Sequence, residues 1–189
     1  MLTTKRLVIR EFRASDWRSV HAYASDPEVV RYMHWGPNTE PDTQAFVRRA
    51  IADQSSKPRT RYEFAITVKA SGELIGGCGI EATRPERKEG VIFYSLNKAH
   101  WGKGYGTESA RALVDFGFAR LALHRIFALC DPSNIGSNHV LNKAGMTLEG
   151  RQREDFLMRG KWRDTMVYAI LEREWSSTGQ LLGGLSPSN

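Results

Sequence analysis

The chain has 189 residues, 41% of them hydrophobic, and a formal net charge of +6. This composition predicts one globular domain with a substantial core and excludes a largely disordered chain. No stretch approaches about 18 uninterrupted apolar residues, and no secretory signal pattern opens the chain, so we expect no membrane-spanning helix and no export. The basic charge is spread along the chain, which favours a solvated surface with a local phosphate site over a nucleic-acid-binding stripe.

The chain contains two cysteines, Cys78 and Cys130. Two cysteines make neither a disulfide framework nor a zinc site, so we expect no metal. We interpret both as free thiols on buried strands, which fits a reducing cytoplasm.

The N-terminal part of the chain predicts one strand followed by helices. Residues 6–12 alternate in the manner of a strand. Ser15-Asp16 supplies an N-cap signal for a helix with apolar residues at helical spacing. Pro27 predicts a second short helix through residue 33. After a loop, a further helix is expected to begin at residue 42 or 43.

From residue 62 the pattern changes to strands. Residues 62–68 and 73–81 predict a hairpin with a tight turn over residues 69–72. Residues 90–96 are apolar on both faces, as expected for a central strand. A glycine-rich loop then leads into a predicted helix over residues 106–120.

The C-terminal part predicts a strand over residues 125–130 and a helix over residues 135–144 that Gly145 ends. Two more strands follow, over residues 146–156 and 163–171. No linker divides the chain into two domains.

The most informative stretch is residues 94–108, where a strand runs through a glycine-rich loop into an amphipathic helix. Gly102, Gly104 and Gly106 let the backbone approach a ligand closely. The amides and dipole at a helix start favour a phosphate, and Lys103 adds positive charge. The spacing is neither that of a Walker loop nor that of a Rossmann fingerprint. The loop therefore predicts a pyrophosphate cradle, although a glycine-rich turn that merely caps a helix is an alternative.

Further motifs accompany this loop. In chain order they are Thr4-Lys5-Arg6-Leu7, Trp101-Gly102-Lys103-Gly104-Tyr105-Gly106-Thr107-Glu108, His124-Arg125-Ile126, Asn134-Ile135-Gly136-Ser137, Lys143-Ala144-Gly145 and Trp162-Arg163-Asp164. With them, the chain resembles the GNAT superfamily of N-acetyltransferases over about residues 3–175. Within that superfamily it is similar to the branch of ribosomal-protein-serine and ribosomal-protein-alanine N-acetyltransferases. One departure is Leu141, at a position where many members carry a tyrosine that acts as an acid.

The resemblance implies an α/β fold of the GNAT type. We expect a mixed sheet of about seven strands with helices on both faces. The sheet should splay in the middle, between the strands that hold Leu96 and Leu129. Residues 1–175 would form a single acetyltransferase domain, and residues 176–189 a frayed Ser/Gly/Pro-rich tail.

The resemblance also implies transfer of an acetyl group from acetyl-CoA to a primary amine by direct attack in a ternary complex. A protein or peptide N-terminal α-amine is the expected acceptor. A polyamine, aminoglycoside or amino acid acceptor and a non-catalytic CoA-binding role are alternatives. A nucleic-acid-binding module is disfavoured because the chain lacks its motifs. An exposed strand near the C-terminus would allow a homodimer.

The resemblance assigns three groups of residues to acetyl-CoA. Backbone groups near Tyr94, Ser95 and Leu96 would bond the pantetheine arm and the thioester oxygen, the alternative being ordinary pairing within the sheet. The amides of Gly104, Gly106 and Thr107 would hold the pyrophosphate, and Asn134 would bond pantetheine or, alternatively, only cap a helix. The complete expected set is Tyr94, Ser95, Leu96, Trp101, Gly102, Lys103, Gly104, Tyr105, Gly106, Thr107, Asn134 and Ser137.

Two residues are expected to be catalytic. Ser137 would donate to the departing sulfur, the alternative being an ordinary helix serine. Asp155 is the nearest match by position for the general base, ahead of Glu81 and Glu154, and each of these carboxylates is alternatively a solvated strand charge.

The loop that contains His34 and Trp35 is expected to border the acceptor.

Overall fold

The computed structural model describes residues 1–179, except for the side chains of Pro85 and of residues 176–179. Its strands are β1 (Leu2–Thr3), β2 (Leu7–Glu11), β3 (Arg61–Val68), β4 (Leu74–Arg84), β5 (Glu89–Leu96), β6 (Arg125–Cys130), β7 (Thr147–Met158) and β8 (Lys161–Leu171). Its α-helices are α1 (Trp17–Ala24), α2 (Glu40–Ala52), α3 (Tyr105–Leu121), α4 (Ile135–Lys143) and α5 (Glu172–Gly179).

The strands form one mixed sheet in the order β1-β2-β3-β4-β5-β6-β8-β7. All neighbours are antiparallel except β5 and β6, which are parallel. Residues 1–179 thus give eight strands where about seven were expected. The extra strand, β1, has two residues and is too short to show an alternating pattern.

The sheet opens between β5 and β6. These strands pair only where Glu89–Val91 lies beside Arg125–Phe127. Beyond that point β5 continues to Leu96 and β6 to Cys130, with no pairing between them in the described structure. The predicted splay is therefore confirmed, and it leaves an opening between the carboxyl ends of the two strands, which we call the mouth.

Helices cover both faces of the sheet, as predicted. On β3, Ile66 packs in a cluster with Leu113 of α3 and Leu141 of α4. Its neighbour Ala65 packs instead with Val47 of α2, in a cluster that also contains residues of α1. Because adjacent strand residues point to opposite faces, α3 and α4 lie on one side and α1 and α2 on the other.

Two predicted features near the N-terminus differ from the structure. Residues 27–33 form turns rather than a helix. Helix α2 begins at Glu40, before the expected residue 42, because Thr39 and Asp42 form a reciprocal capping box at its start.

The C-terminal prediction is also modified. Helix α5 extends to Gly179, so residues 176–179 of the predicted frayed tail are helical. The rest of that predicted tail, residues 180–189, lies outside the described residues.

Candidate active site

The glycine-rich loop connects β5 to α3 and has the backbone conformation that its glycines permit. Gly102 and Gly104 have φ values of 73° and 80°, in the left-handed region that favours glycine. Gly104 is the N-cap residue of α3, and no side chain in the described structure caps that helix start. Because the first amides of a helix have no intrahelical partner, those after Gly104 are available to an anion. The loop geometry therefore fits a phosphate.

Not every glycine in the loop serves that purpose. Gly106 is buried within α3, and a Cβ there would lie 3.2 Å from Cγ2 of Val140 on α4. A side chain at this position would press directly on the α3–α4 contact. Gly106 therefore permits close helix packing, a role that the sequence pattern does not distinguish from ligand contact.

Trp101 fastens the loop to the end of β5. Its indole Nε1 donates a 2.8 Å hydrogen bond to the carbonyl of Leu96, while 47% of the side chain stays exposed. That carbonyl is thereby already engaged, whereas the sequence reasoning assigned the backbone near Leu96 to pantetheine. The carbonyl of Ser95 faces β4, where it lies next to the backbone of Gly76.

The side chain of Ser95 offers an unused group next to the mouth. Its Oγ is buried and has no hydrogen-bond partner among the described residues. Leaving a buried hydroxyl unpaired is costly, so such an atom is a candidate for a ligand contact. The sequence reasoning considered only the backbone of Ser95.

Three polar side chains meet where β5 and β6 diverge. The hydroxyls of Tyr94 on β5 and Ser137 on α4 lie 2.7 Å apart. Burial raises the pKa of the Tyr94 phenol, although the hydrogen bond with Ser137 acts in the opposite direction. Burial also raises the pKa of the Cys130 thiol, which the bond with Ser137 partly offsets. At neutral pH, Tyr94 and Cys130 are therefore uncharged, and Ser137 links the two strands.

The hydroxyl of Tyr94 is a feature that sequence reasoning missed. Leu141 stands on α4 where many family members carry a tyrosine, and it is fully buried in the core. The structure places a phenol close to the same helix from the opposite strand. Tyr94 shares a face of β5 with residues that point toward α4, and strand alternation was the available signal.

Asn134 acts as the N-cap of α4. Its Oδ1 accepts a 3.1 Å hydrogen bond from the backbone amide of Ser137. The structure thus shows the capping role that the sequence analysis gave as an alternative. A contact between Asn134 and pantetheine stays a prediction.

The three candidate bases occupy different places. Glu81 lies opposite Val91, where β5 and β6 are still paired, and its carboxylate binds Arg61. The structure therefore does not bring Glu81 to the mouth. Glu154 lies in a bulge of β7 with a φ of 50°. The Oδ2 of Asp155 accepts a 2.7 Å hydrogen bond from the hydroxyl of Thr165, so one face of its carboxylate is fixed.

A segment that we call the crossing segment, residues 25–39, lies over the mouth. At one end, Asp26 pairs with Lys98, just after β5, at 3.2 Å. Further along, the hydroxyl of Tyr32 donates to the carbonyl of Ser133, between β6 and α4. The ring of His34 lies 4.3 Å from that of Phe156 on β7. The crossing segment therefore contacts both sides of the splay, where a second substrate would approach.

Glu108 joins the loop helix to the beginning of the chain. Its carboxylate accepts hydrogen bonds from the hydroxyl of Thr4 (2.6 Å) and from the amide and guanidinium of Arg6 (both 2.7 Å). Burial favours a higher pKa for Glu108, but these bonds outweigh it and hold the pKa below its usual value. Both ends of this contact lie in motifs visible in the sequence, yet nothing in the sequence indicated that they touch.

Residues 1–179 contain no group of three or more His, Cys, Asp or Glu side chains arranged to hold a metal ion. Within the same part of the chain, no helix has the length and hydropathy needed to cross a membrane. Both cysteines are free and buried.

Comparison with known proteins agrees with this geometry. The family described as acetyltransferase (GNAT) domain matches residues 6–147. The chain is 38% identical over 175 residues to the uncharacterized N-acetyltransferase YnaD of Bacillus subtilis (strain 168), covering 93% of this chain and 99% of the relative. It is 24% identical over 168 residues to spermidine N(1)-acetyltransferase of Escherichia coli (strain K12), covering 88% and 87%.

A crystal structure of a GNAT-family acetyltransferase from Bacillus anthracis superimposes with a TM-score of 0.82 at 33% identity, covering 91% of this chain and 98% of that one. The family match spans most of the chain, and the two strands that splay, β5 and β6, lie inside the matched range together with the glycine loop and the helix start that follows it. The chain belongs to the GNAT family and is an acetyl-CoA-dependent N-acetyltransferase.

Proposed function

We propose that the acceptor is the α-amine at the N-terminus of a protein or peptide, which attacks bound acetyl-CoA directly in a ternary complex. The observation that carries this proposal is the state of the carboxylates near the mouth. Asp131 pairs with Arg163, Asp155 accepts from Thr165, and Asp164 pairs with Arg151. Each is already bonded, so none of the three is poised as a strong base.

A site whose three aspartates are already bonded favours an amine that loses its proton easily. An α-amine has a pKa of about 7.7–8.0, whereas a lysine side chain has a pKa of about 10.4. At neutral pH a useful fraction of α-amines is already neutral. Asp155 then needs to accept only the proton that the amine nitrogen loses after it has bonded to the acetyl carbon. This reasoning places α-amines ahead of lysine ε-amines.

On the donor side, the proposed contacts follow the backbone. The amides after Gly104, together with Lys103, would hold the pyrophosphate. Tyr94 and Leu96 lie on β5 along the mouth, and the unpaired hydroxyl of Ser95 supplies a further group for the pantetheine arm. The full proposed set remains Tyr94, Ser95, Leu96, Trp101, Gly102, Lys103, Gly104, Tyr105, Gly106, Thr107, Asn134 and Ser137.

In the chemical step, the amine nitrogen forms a bond to the acetyl carbon while the carbon–sulfur bond breaks and its electron pair passes to sulfur. A thiol has a pKa of about 8.5, so its thiolate needs little assistance to leave. The Ser137 hydroxyl is proposed to donate a hydrogen bond to that sulfur. Tyr94, 2.7 Å away, would orient the serine by donating to its oxygen.

A polyamine acceptor is the second candidate, favoured by the name of the spermidine N(1)-acetyltransferase relative. A thiol-release assay with acetyl-CoA should compare three acceptors: peptides with a free N-terminus, N-terminally blocked peptides with free lysines, and spermidine. We expect the free-N-terminus peptides to give the highest kcat/KM. A higher kcat/KM with spermidine would indicate a polyamine acceptor, and a higher kcat/KM with the blocked peptides would indicate a lysine acceptor. Either result would contradict the proposal.

We also propose a cytoplasmic location, supported by the two free cysteines.

Homodimer formation is supported by exposed apolar side chains on neighbouring strands: Leu129 (51%), Leu157 (59%) and Trp162 (59%). Light scattering at micromolar concentration would measure the mass, and a monomer would contradict the dimer.

A further inference from the structure

A basic cleft of about 330 Å³ lies between the crossing segment and the β7–β8 hairpin. It is lined by Arg31, Tyr32, Ser133, Met158, Arg159, Lys161 and Arg163. Four of these seven side chains are cationic at neutral pH.

Most of this charge is not neutralised by the protein. Asp131 pairs with Arg163, with 2.9 Å between Oδ2 and Nε. Within residues 1–179, no carboxylate forms an ion pair with Arg31, Arg159 or Lys161. Setting one carboxylate against four cations leaves three positive charges that face the cleft. Like charges gathered in this way repel one another, and a bound anion would relieve that repulsion.

Two of the four cations, Arg159 and Arg163, are held in place by hydrogen bonds within the protein. The guanidinium of Arg159 donates to the carbonyls of Val30, Arg31 and Gly36 at 3.1 to 3.3 Å. The guanidinium of Arg31 lies 5.4 Å from the ring centroid of Tyr32. Side chains that are already ordered lose less entropy on binding than free ones.

The cleft is connected to the reacting end of the mouth. Ser133, which lines the cleft, immediately precedes Asn134, whose side chain caps α4 at Ser137. Tyr32 binds the carbonyl of Ser133 and so fixes the crossing segment against this loop. A ligand group in the cleft would therefore belong to the molecule that approaches Ser137 from the acceptor side.

We infer that this cleft binds a carboxylate of the acceptor, so that the enzyme prefers peptides with an acidic residue close to the N-terminal amine. The inference rests on the proposed function, because it concerns the same acceptor. Arginine binds carboxylates through charge-assisted and often paired hydrogen bonds, which suits an Asp or Glu side chain. The same cations would repel a polyamine.

The first experiment compares two peptides that differ only in Asp or Asn at the second position, each with a free N-terminus and an amidated C-terminus. We expect kcat/KM to be about tenfold or more higher for the Asp peptide, with the advantage shrinking as salt is added. A third peptide, with Asn and a free C-terminal carboxylate, separates a side-chain carboxylate from a terminal one. If the third peptide alone is preferred, the assignment to an acidic side chain is wrong.

The second experiment removes the charge. In Lys161→Gln and Arg31→Gln, the ratio of kcat/KM for the Asp peptide to that for the Asn peptide should fall toward one. Lys88→Gln is the matched control, because Lys88 is exposed in the turn before β5, at the end remote from the mouth, and it should keep the wild-type ratio. Acetyl-CoA affinity should be measured by calorimetry for each variant.

The outcomes are distinguishable. Thiol release with equal kcat/KM for the Asp and Asn peptides overturns the inference but leaves the proposed function intact. No thiol release with any peptide overturns the proposed function. If Lys161→Gln weakens acetyl-CoA binding instead of changing the peptide ratio, the cleft holds a phosphate of the cosubstrate and the inference fails.

Discussion

The two sides of the mouth are built in different ways. The donor side is one continuous stretch, residues 94–108, in which Trp101 binds back to Leu96 and two left-handed glycines shape the helix start. The acceptor side is assembled from the crossing segment, the Ser133 loop and the β7–β8 hairpin, joined by hydrogen bonds between residues more than 100 positions apart. Under the proposed roles of the two sides, the cosubstrate has a local site, whereas acceptor choice depends on long-range packing.

The largest expected effect would come from the donor loop. Gly104→Asp should abolish acetyl-CoA binding, because it adds a negative charge at the proposed phosphate site and a side chain at a φ of 80°. Gly104→Ala separates these causes, because its Cβ would meet only the end of the Arg6 side chain, at 3.2 Å. Calorimetry should show no binding for the Asp variant and measurable binding for the Ala variant. An unchanged acetyl-CoA affinity in Gly104→Asp would show that the phosphate does not bind at this loop.

The stabilisation of the fold by bound acetyl-CoA is a second, independent test of the site at Gly104. With acetyl-CoA at a hundredfold excess over Kd, the wild-type protein should gain about 2.7 kcal/mol, and Gly104→Asp should gain nothing. A thermal melt with and without ligand measures both. An equal upward shift of Tm in the two proteins would contradict the assignment.

The next effect should fall at the centre of the mouth. Ser137→Ala should lower kcat about ten- to a thousandfold with little change in acetyl-CoA affinity. Tyr94→Phe should lower it less, because the serine hydroxyl remains. Ser19→Ala, an exposed helix serine on α1, is the control. If kcat survives in Ser137→Ala, the serine is only a helix residue.

The sequence predicts the contiguous donor side better than the acceptor side, which is assembled from distant segments. The strand, loop and helix around Gly104 could be predicted because local backbone preferences and a contiguous motif determine them. The splay was expected from the family resemblance, and the register of β5 and β6 confirms it. The short helix expected over residues 27–33 was wrong, because contacts with Ser133 and Arg159 stabilise turns there instead.

The groups that sequence reasoning missed are those that depend on tertiary contacts. Tyr94 meets Ser137 across the mouth, and Glu108 meets Thr4 and Arg6 across the fold. Asp155 was correctly placed on the penultimate strand, but only the structure shows that Thr165 binds it. No periodicity reports which distant side chains touch.

A moderate effect is expected from the proposed base. Asp155→Asn should lower kcat/KM for an N-terminal peptide by up to about tenfold near pH 7. The loss should shrink as the pH rises above the acceptor pKa of about 8, because the amine is then already neutral. A pH–rate profile with a constant α-amine acceptor measures this. A deficit that stays equal at all pH values would show that Asp155 has only a structural role.

The smallest effect concerns Glu108, which connects the donor side to the beginning of the chain. Because the folded pKa of Glu108 is depressed, its stabilisation is present above the unfolded pKa of about 4.3 and is lost as the pH falls through the lower folded value. Glu108→Gln should therefore cost about 1–2 kcal/mol at pH 7 and less at acid pH. Urea unfolding at pH 7 and pH 3.5 tests this, and a deficit that grows at acid pH would contradict it.

The central claim is that this mouth delivers an acetyl group to an α-amine. The most direct test is to incubate the enzyme and acetyl-CoA with one peptide that carries both a free N-terminus and an internal lysine, and to locate the acetyl group by fragment mass spectrometry. We predict acetylation at the N-terminal nitrogen, with the lysine unmodified at early times. Acetyl groups found first on the lysine would contradict the account.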